Sequence, residues 1–309
     1  MEVFMTVAVV DIGSTVIKYG MVDGLSNKLF VCKEAPTNAS EGAVSVLNRV
    51  ADLLKPYEFK KIGLCSGGQI KDGKVIYATE NLPGYTGMEV AEFFNKKFRV
   101  PVAVENDVNA AAIGELAFGA ARGIKNFICI TIGTGIGGAI VIDDKVYSGN
   151  HGGAGEFGHF TTHKGGLPCS CGQKGCFEAY ASTTALTKKA ATVYGSSLNG
   201  REIFEQIEKG NTELKKVLGA WTREIAVGLS GLIHILNPEA VILGGGIMER
   251  EDVLNKIKKA TNKYLMSSYK KDIKILSAKL GNNAGLMGMY ILTENLRINT
   301  NYMFPLILP

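Results

Sequence analysis

Half of the six cysteines in this 309-residue chain lie in one stretch, "PCSCGQKGCFE" at 168–178. Thiols this close could exchange disulfides, form a disulfide staple, or bind a soft metal ion. The spacing Cys169-x-Cys171-x4-Cys176 lacks the CxxC pair of redox motifs, and a staple would strand one thiol. Metal binding uses all three, and four-coordinate zinc then wants one more nitrogen or sulfur ligand.

Two further stretches suit phosphate. "DIGST" at 11–15 and "TIGTGIGG" at 131–138 each place glycines and hydroxyls in a hairpin turn after an apolar strand. Backbone N–H groups and hydroxyls in such turns can surround phosphate oxygens without a helix. The candidates are Asp11, Gly13, Ser14 and Thr15 in the first turn and Thr131, Gly133, Thr134 and Gly135 in the second. Asp11 ends its strand beside the loop, where it can hold magnesium through water. Two other matches fail on context. "GTGIGG" at 133–138 spells a dinucleotide fingerprint but runs into the apolar strand "AIVIDD" instead of a helix. "GQIKDGKV" at 68–75 resembles a P-loop, but Val75 stands where a magnesium-binding hydroxyl is needed, so Asp72-Gly73 reads as a turn.

The elements that must position these loops alternate. The start reads as a strand, glycine turn and second strand over 7–22, followed by a helix near 41–55. The strand "KIGLC" leads to the loop "SGGQIKDGK", a helix over 87–98, the short strand "VPVAVE", and a helix that Asn106 or Asp107 can cap. A hairpin over 126–149 with a "DDK" turn precedes the cysteine loop, 150–178. Helices are expected over 178–194, 201–209 and 213–236, the last stopped by Asn237-Pro238. The strand "AVILGGG", a helix at 249–266, the strand "IKILSA" and a helix from about 284 to 297 complete the chain. Strand–glycine turn–strand occurs at 7–22 and again at 127–142, which predicts an α/β protein of two related halves.

Composition narrows the classes. Hydrophobic content of 46% with 20% charged residues fits a globular protein, and the net charge of +5 is scattered over "KK" pairs without a basic stripe. No nucleic-acid partner, membrane span or signal peptide is expected, and a cytoplasmic location follows. Cys32, Cys65 and Cys129 lie in apolar runs and read as buried thiols. His234, in "GLIHILN", reads as a satisfied core histidine.

Together, the two phosphate turns, "VENDVNAAAIGE", "GEFGH" followed by "CSCGQKGCFE", and "VILGGGI" resemble the ROK family of sugar kinases and repressors over about residues 7–292. The resemblance implies an actin-like, ribonuclease-H-like kinase fold with a cleft between two α/β lobes, and a homodimer. A small lobe, 1–107, would be completed by a helix at about 284–299; a large lobe, 108–283, would carry the metal-bound loop. By the family's motifs Asp107 is the general base, while Gly68, Asn106, Glu156, His159 and Glu178 contact the sugar. ATP and magnesium lie against the two turns, with Gly244, Gly245 and Gly246 near the adenosine. His159 completes a structural zinc site with Cys169, Cys171 and Cys176, and His163 competes by proximity. Two spellings depart from the family. Ser14 replaces the second glycine of D-x-G-G-T, and "SGGQIKDGK" replaces the "PGPVD" of family glucokinases, closer to members acting on N-acetylmannosamine or β-glucosides.

The chemistry agrees with the resemblance. Transfer of a phosphoryl group to a hydroxyl, with O6 of the sugar expected, needs in-line positioning, a cation and a base. Asp107 follows a short strand and opens a helix, whose N-terminus favours the charged, basic form; its local alternative is a helix cap. Glu156 sits among glycines in a loop, and Glu178 could equally offset a helix dipole. A sugar-sensing regulator would carry a DNA-binding module ahead of the first strand, for which no room is expected; a non-catalytic sugar-binding protein would not need Asp11 and Asp107.

Overall fold

A computed structural model describes residues 6–296. It divides into two compact units, each built on a five-stranded sheet. The C-terminal residues 300–309 lie outside the described residues.

Of the described residues, the first unit comprises 6–123, 146–154 and 282–296. Its strands are β1 (Thr6–Ile12), β2 (Val16–Asp23), β3 (Lys28–Pro36), β4 (Lys61–Ser66) and, after the small hairpin β5 (Gln69–Lys71) and β6 (Lys74–Tyr77), β7 (Val102–Asn106). The sheet order is β3-β2-β1-β4-β7, with β1 antiparallel to β2 and parallel to β4. Helices α1 (Ala43–Leu54), α2 (Val90–Phe98) and α3 (Asp107–Phe118) belong to this unit. Val10, Ile17, Val46, Leu47, Leu64 and Phe94 lie in its core.

The second unit comprises 124–145 and 155–281. Strands β8 (Phe127–Ile132), β9 (Ile136–Ile142) and β10 (Lys145–Val146) are followed by α4 (Glu178–Ala181), α5 (Thr183–Tyr194), α6 (Gly200–Glu208) and α7 (Thr212–Leu236). Then come β11 (Ala240–Gly244), α8 (Glu251–Tyr264) and β12 (Lys274–Ser277), while α9 (Ala284–Glu294) returns to the first unit. The sheet order β10-β9-β8-β11-β12, antiparallel then parallel, repeats the pattern of the first sheet. The two halves expected from the repeated strand–turn–strand pattern are therefore present.

Several expectations change. The boundary moves from residue 107 to 123, because α3 packs on α9 within the first unit. Small residues make that crossing: a Cβ on Gly288 would collide with the Ala110 carbonyl, and one on Gly114 with the Ala284 carbonyl. Strand β3 was not anticipated, since its alternating, half-exposed "KLFVCKEAP" carries little apolar signal. On that strand Cys32 is exposed, whereas Cys65 and Cys129 are buried as expected. The loop at 69–77 is a hairpin, with Asp72 and Gly73 both at positive φ in its turn. The "DDK" turn likewise holds Asp143 and Asp144 at positive φ.

The single helix expected over 178–194 is broken. Ser182 is extended (φ −72°, ψ 164°); its hydroxyl accepts the Ala185 N–H at 3.1 Å, and its carbonyl takes the Trp221 indole N–H at 2.9 Å. A serine that can cap makes such a break cheap. Half-buried His234 accepts the Met266 N–H at 3.2 Å and meets Tyr269 edge-on. No described helix is long and apolar enough to cross a membrane.

Candidate active site

In the first unit, Asp11 lies near the end of β1, in register with Lys18 on β2 and Cys65 on β4. Asp107 is the first residue of α3, one strand further along the sheet. Helix α9 closes against both. The position of a Cβ on Gly285 lies 3.2 Å from Cys65 Sγ, 3.7 Å from Asp11 Oδ2 and 3.9 Å from the Asp107 carbonyl. Burial, then the nearby Asp107 carboxylate, pushes the Asp11 carboxyl up to about 6, against the pull of Lys18 and Cys65. Burial also raises Asp107, opposed by the Val108 N–H. Two desolvated carboxylates beside one another make a site that favours a cation.

Asn106, not Asp107, caps α3. Its Oδ1 accepts the Val108 N–H at 2.9 Å and the Asn109 N–H at 3.1 Å, and its Nδ2 donates to the Gly68 carbonyl at 3.0 Å. Asp107 Oδ1 also accepts the Val108 N–H at 2.9 Å. One asparagine thus fixes the helix start and the glycine turn, and Gly68 holds φ 108° where a side chain would be strained.

Gly13, Ser14 and Thr15 form the β1–β2 turn. Gly13 N–H donates to the Val16 carbonyl at 3.0 Å, and Thr37, whose hydroxyl donates to the Gly13 carbonyl at 2.7 Å, pins the turn from behind. Ser14 is not at positive φ, so serine fits without backbone strain. Gly13 is the constrained position, since a Cβ there would come within 2.8 Å of the Val16 carbonyl.

In the second unit, the β8–β9 turn is tied to the helix break. Thr183 N–H donates to the Gly133 carbonyl at 2.8 Å, and the Thr184 hydroxyl donates to the Thr134 carbonyl at 2.7 Å. Gly133, Thr134 and Gly246 line a cavity of about 790 Å³, with Ile247, Phe204 and Arg250 among its other walls. That is ample for a nucleoside. Gly245, at φ 108°, packs its backbone against Ile132, while Gly244 pairs with Thr131 inside the sheet; these two and Thr131 position the cavity without lining it. The lining residues of α5 and α6 carry no motif, and only the topology brings them to the turn.

Glu178 opens α4 and turns onto the same turn. Its Oε2 accepts the Ile136 N–H at 2.9 Å, and its Oε1 accepts from the Ser170 hydroxyl at 3.3 Å and Cys169 Sγ at 3.7 Å. It is thus more than a helix-dipole charge. Exposed Glu156 lies with Oε2 4.0 Å from His159 Nε2.

His159 also faces the cysteines. Its ligand atom and those of Cys169, Cys171 and Cys176 all lie within 4.8 Å of one another. Cys169 Sγ is 3.6 Å from His159 Nδ1, and Cys171 Sγ is 3.6 Å from Cys176 Sγ. Tetrahedral ligands at the zinc–sulfur distance stand about 3.7 Å apart, so the donor set fits that ion and no S–S bond is made. His163 is engaged elsewhere, stacked on Tyr180 at 3.8 Å, with Nε2 3.5 Å from Glu224.

Against known proteins, residues 7–295 match the ROK family. A glucokinase of Streptomyces coelicolor is 34% identical over 300 residues, covering 90% of this chain and 94% of that protein. Among solved structures, a ROK family glucokinase from Streptomyces griseus, in complex with glucose and AMPPNP, superposes with TM-score 0.83 at 31% identity, covering 94% of this chain and 99% of that one. A putative N-acetylmannosamine kinase from Listeria monocytogenes reaches TM-score 0.84 at 25% identity, covering 94% and 100%. The fold is the expected actin-like α/β fold of sugar kinases. The chain belongs to the ROK family.

Proposed function

We propose that this chain transfers the γ-phosphoryl group of ATP to O6 of a hexose or N-acetylhexosamine, with Asp107 as general base. The enzyme is an ATP-dependent sugar kinase. The observation that carries the base assignment is the division of labour at the head of α3. Asn106 accepts the Val108 and Asn109 N–H groups, so α3 is capped without Asp107, and the half-buried Asp107 carboxylate, whose Oδ1 shares the Val108 N–H, lies beside Asp11. Its raised proton affinity makes it a better acceptor for a hydroxyl proton than an exposed carboxylate.

The turns at Gly13–Thr15 and Gly133–Gly135 offer backbone N–H groups and hydroxyls to the phosphates, and Gly246 borders the nucleoside cavity. Asp11 would hold magnesium through water, and the ion, when bound, offsets the phosphate charge. Asn106, Gly68, Glu156, His159 and Glu178 would bind the sugar. With four protein ligands, His159, Cys169, Cys171 and Cys176, a zinc ion would have no open position and would be structural. Its service is to hold the loop that carries the sugar-binding residues. A homodimer is the proposed assembly, read out by light scattering of the purified protein.

The test is ADP release from magnesium-ATP against a panel of glucose, N-acetylmannosamine and β-glucosides, with fructose and N-acetylglucosamine as controls. Sugar-dependent turnover that Asp107→Ala abolishes supports the reading. Sugar binding without turnover across the panel would sink it.

A further inference from the structure

The cavity beside Gly133 and Gly246 has one wall with unusual chemistry. The Arg250 guanidinium lies over the Phe204 ring, with Cζ 4.2 Å from the centroid. Two carboxylates hold it there: Nη2 donates to Glu208 at 3.1 Å and Nε to Asp252 at 3.1 Å. Phe204 is itself buried, at 5% exposure, and Arg250, Phe204 and Glu208 all line the cavity.

An arginine beside a nucleotide is ordinarily read as a phosphate ligand. Here that role is unfavourable, because Glu208 and Asp252 already take the charge and would repel an approaching phosphate. What such an arginine retains is a flat, weakly hydrated, delocalised plane, fixed by its ion pairs and ring stacking. Planes of this kind stack on aromatic bases. The neighbouring Ile247 adds an apolar surface, while Gly133 and Thr134 of the β8–β9 turn lie on the same cavity's wall.

We infer that Arg250, backed by Phe204 and clamped by Glu208 and Asp252, is the stacking platform for the nucleobase of the phosphoryl donor. The proposal rests on the nucleotide reading of this cavity. It assigns Arg250 to affinity for the base and not to the phosphates or the reacting oxygen.

The test compares two probes, AMPPNP with magnesium and inorganic triphosphate with magnesium, on the full chain by calorimetry. Arg250→Ala should weaken AMPPNP about tenfold and leave triphosphate unchanged, which also shows that the variant is folded. Arg250→Lys keeps the charge and loses the plane, so it should resemble the alanine variant. Unchanged AMPPNP affinity in Arg250→Ala overturns the inference. So does an equal loss for both probes, or full rescue by lysine, since either outcome makes Arg250 a charge for phosphate. Failure of the unaltered chain to bind AMPPNP would instead remove the nucleotide reading on which the inference stands.

Discussion

The Glu178 carboxylate accepts the backbone N–H of Ile136 at 2.9 Å, joining the first residue of α4 to the first residue of β9 across 42 positions of sequence. The glycine before that strand is shaped by the same contact, because a Cβ on Gly135 would collide with Glu178 Oε2. The other carboxylate oxygen reaches Ser170 and Cys169. One side chain therefore links the cysteine loop to the turn proposed for phosphate.

Glu178→Ala should accordingly raise the KM for ATP as well as the KM for sugar. A charge-assisted bond of this kind is worth about 2 kcal/mol, so an effect of roughly tenfold or more on ATP is expected. Steady-state kinetics with each substrate varied in turn would check this. A defect confined to the sugar would show that the turn keeps its shape without Glu178.

At the head of α3, two neighbours should separate cleanly. Asp107→Asn leaves the Asn106 cap in place, so kcat should fall by about 10²–10⁴ with thermal stability nearly unchanged. Asn106→Ala removes the cap and frees Gly68, costing about 1–2 kcal/mol, with weaker sugar binding. Calorimetric melting beside initial rates distinguishes them. Equal melting losses for both would mean that Asp107 carries the helix.

Loss of metal should act through the loop. Cys171→Ser is expected to purify without zinc, melt at a lower temperature and bind sugar more weakly, with the metal content measured by atomic absorption. Full sugar affinity in a verified zinc-free protein would break the connection between the ion and the sugar loop.

Asp11 sets a pH dependence whose sign follows from its burial. Its carboxyl titrates near 6 in the fold against 3.8 ordinarily. The neutral acid is thus favoured in the folded state, and this contribution is fully present below about pH 4. It is lost as pH rises through about 6, amounting to roughly 3 kcal/mol. Asp11→Asn should flatten the urea-unfolding free energy between pH 4 and 7. Magnesium-ATP, which favours the ionised form, should bind less tightly as pH falls through 6. A stability profile identical in the variant would count against the shift.

The α3–α9 crossing should be intolerant of a single methyl group. Gly288→Ala drives a Cβ into the Ala110 carbonyl, and overpacking of this kind costs about 3 kcal/mol. A melting temperature lowered by about 5 °C is expected, together with reduced turnover, since α9 also abuts Asp11 and Asp107. An unperturbed variant would mean that the helices can part without consequence.

Local chemistry made much of this chain legible in advance. Glycines beside hydroxyls after an apolar strand mark turns; Asp72-Gly73 and Asp143-Asp144 adopt the left-handed backbone such residues tolerate; Pro238 stops α7 at Asn237. The cysteine spacing pointed to a metal, because three thiols have few other shared uses. Those signals act over a few residues, and sequence displays them directly.

What sequence could not decide depends on contacts between distant segments. Whether His159 or His163 meets the cysteines is a matter of side-chain direction: His163 is drawn to Tyr180 and Glu224. The break at Ser182 is held by Trp221, 39 residues away, against the helix propensity of its neighbours. Helix α3 joins the first unit because glycines and alanines let α9 approach its backbone, and small residues announce no partner by themselves. The wall at Arg250 and Phe204 is assembled from α6 and the segment before α8, neither bearing a motif. Turn residues were set by local conformational preference. The site's walls were set by packing, which exists only once the chain has folded.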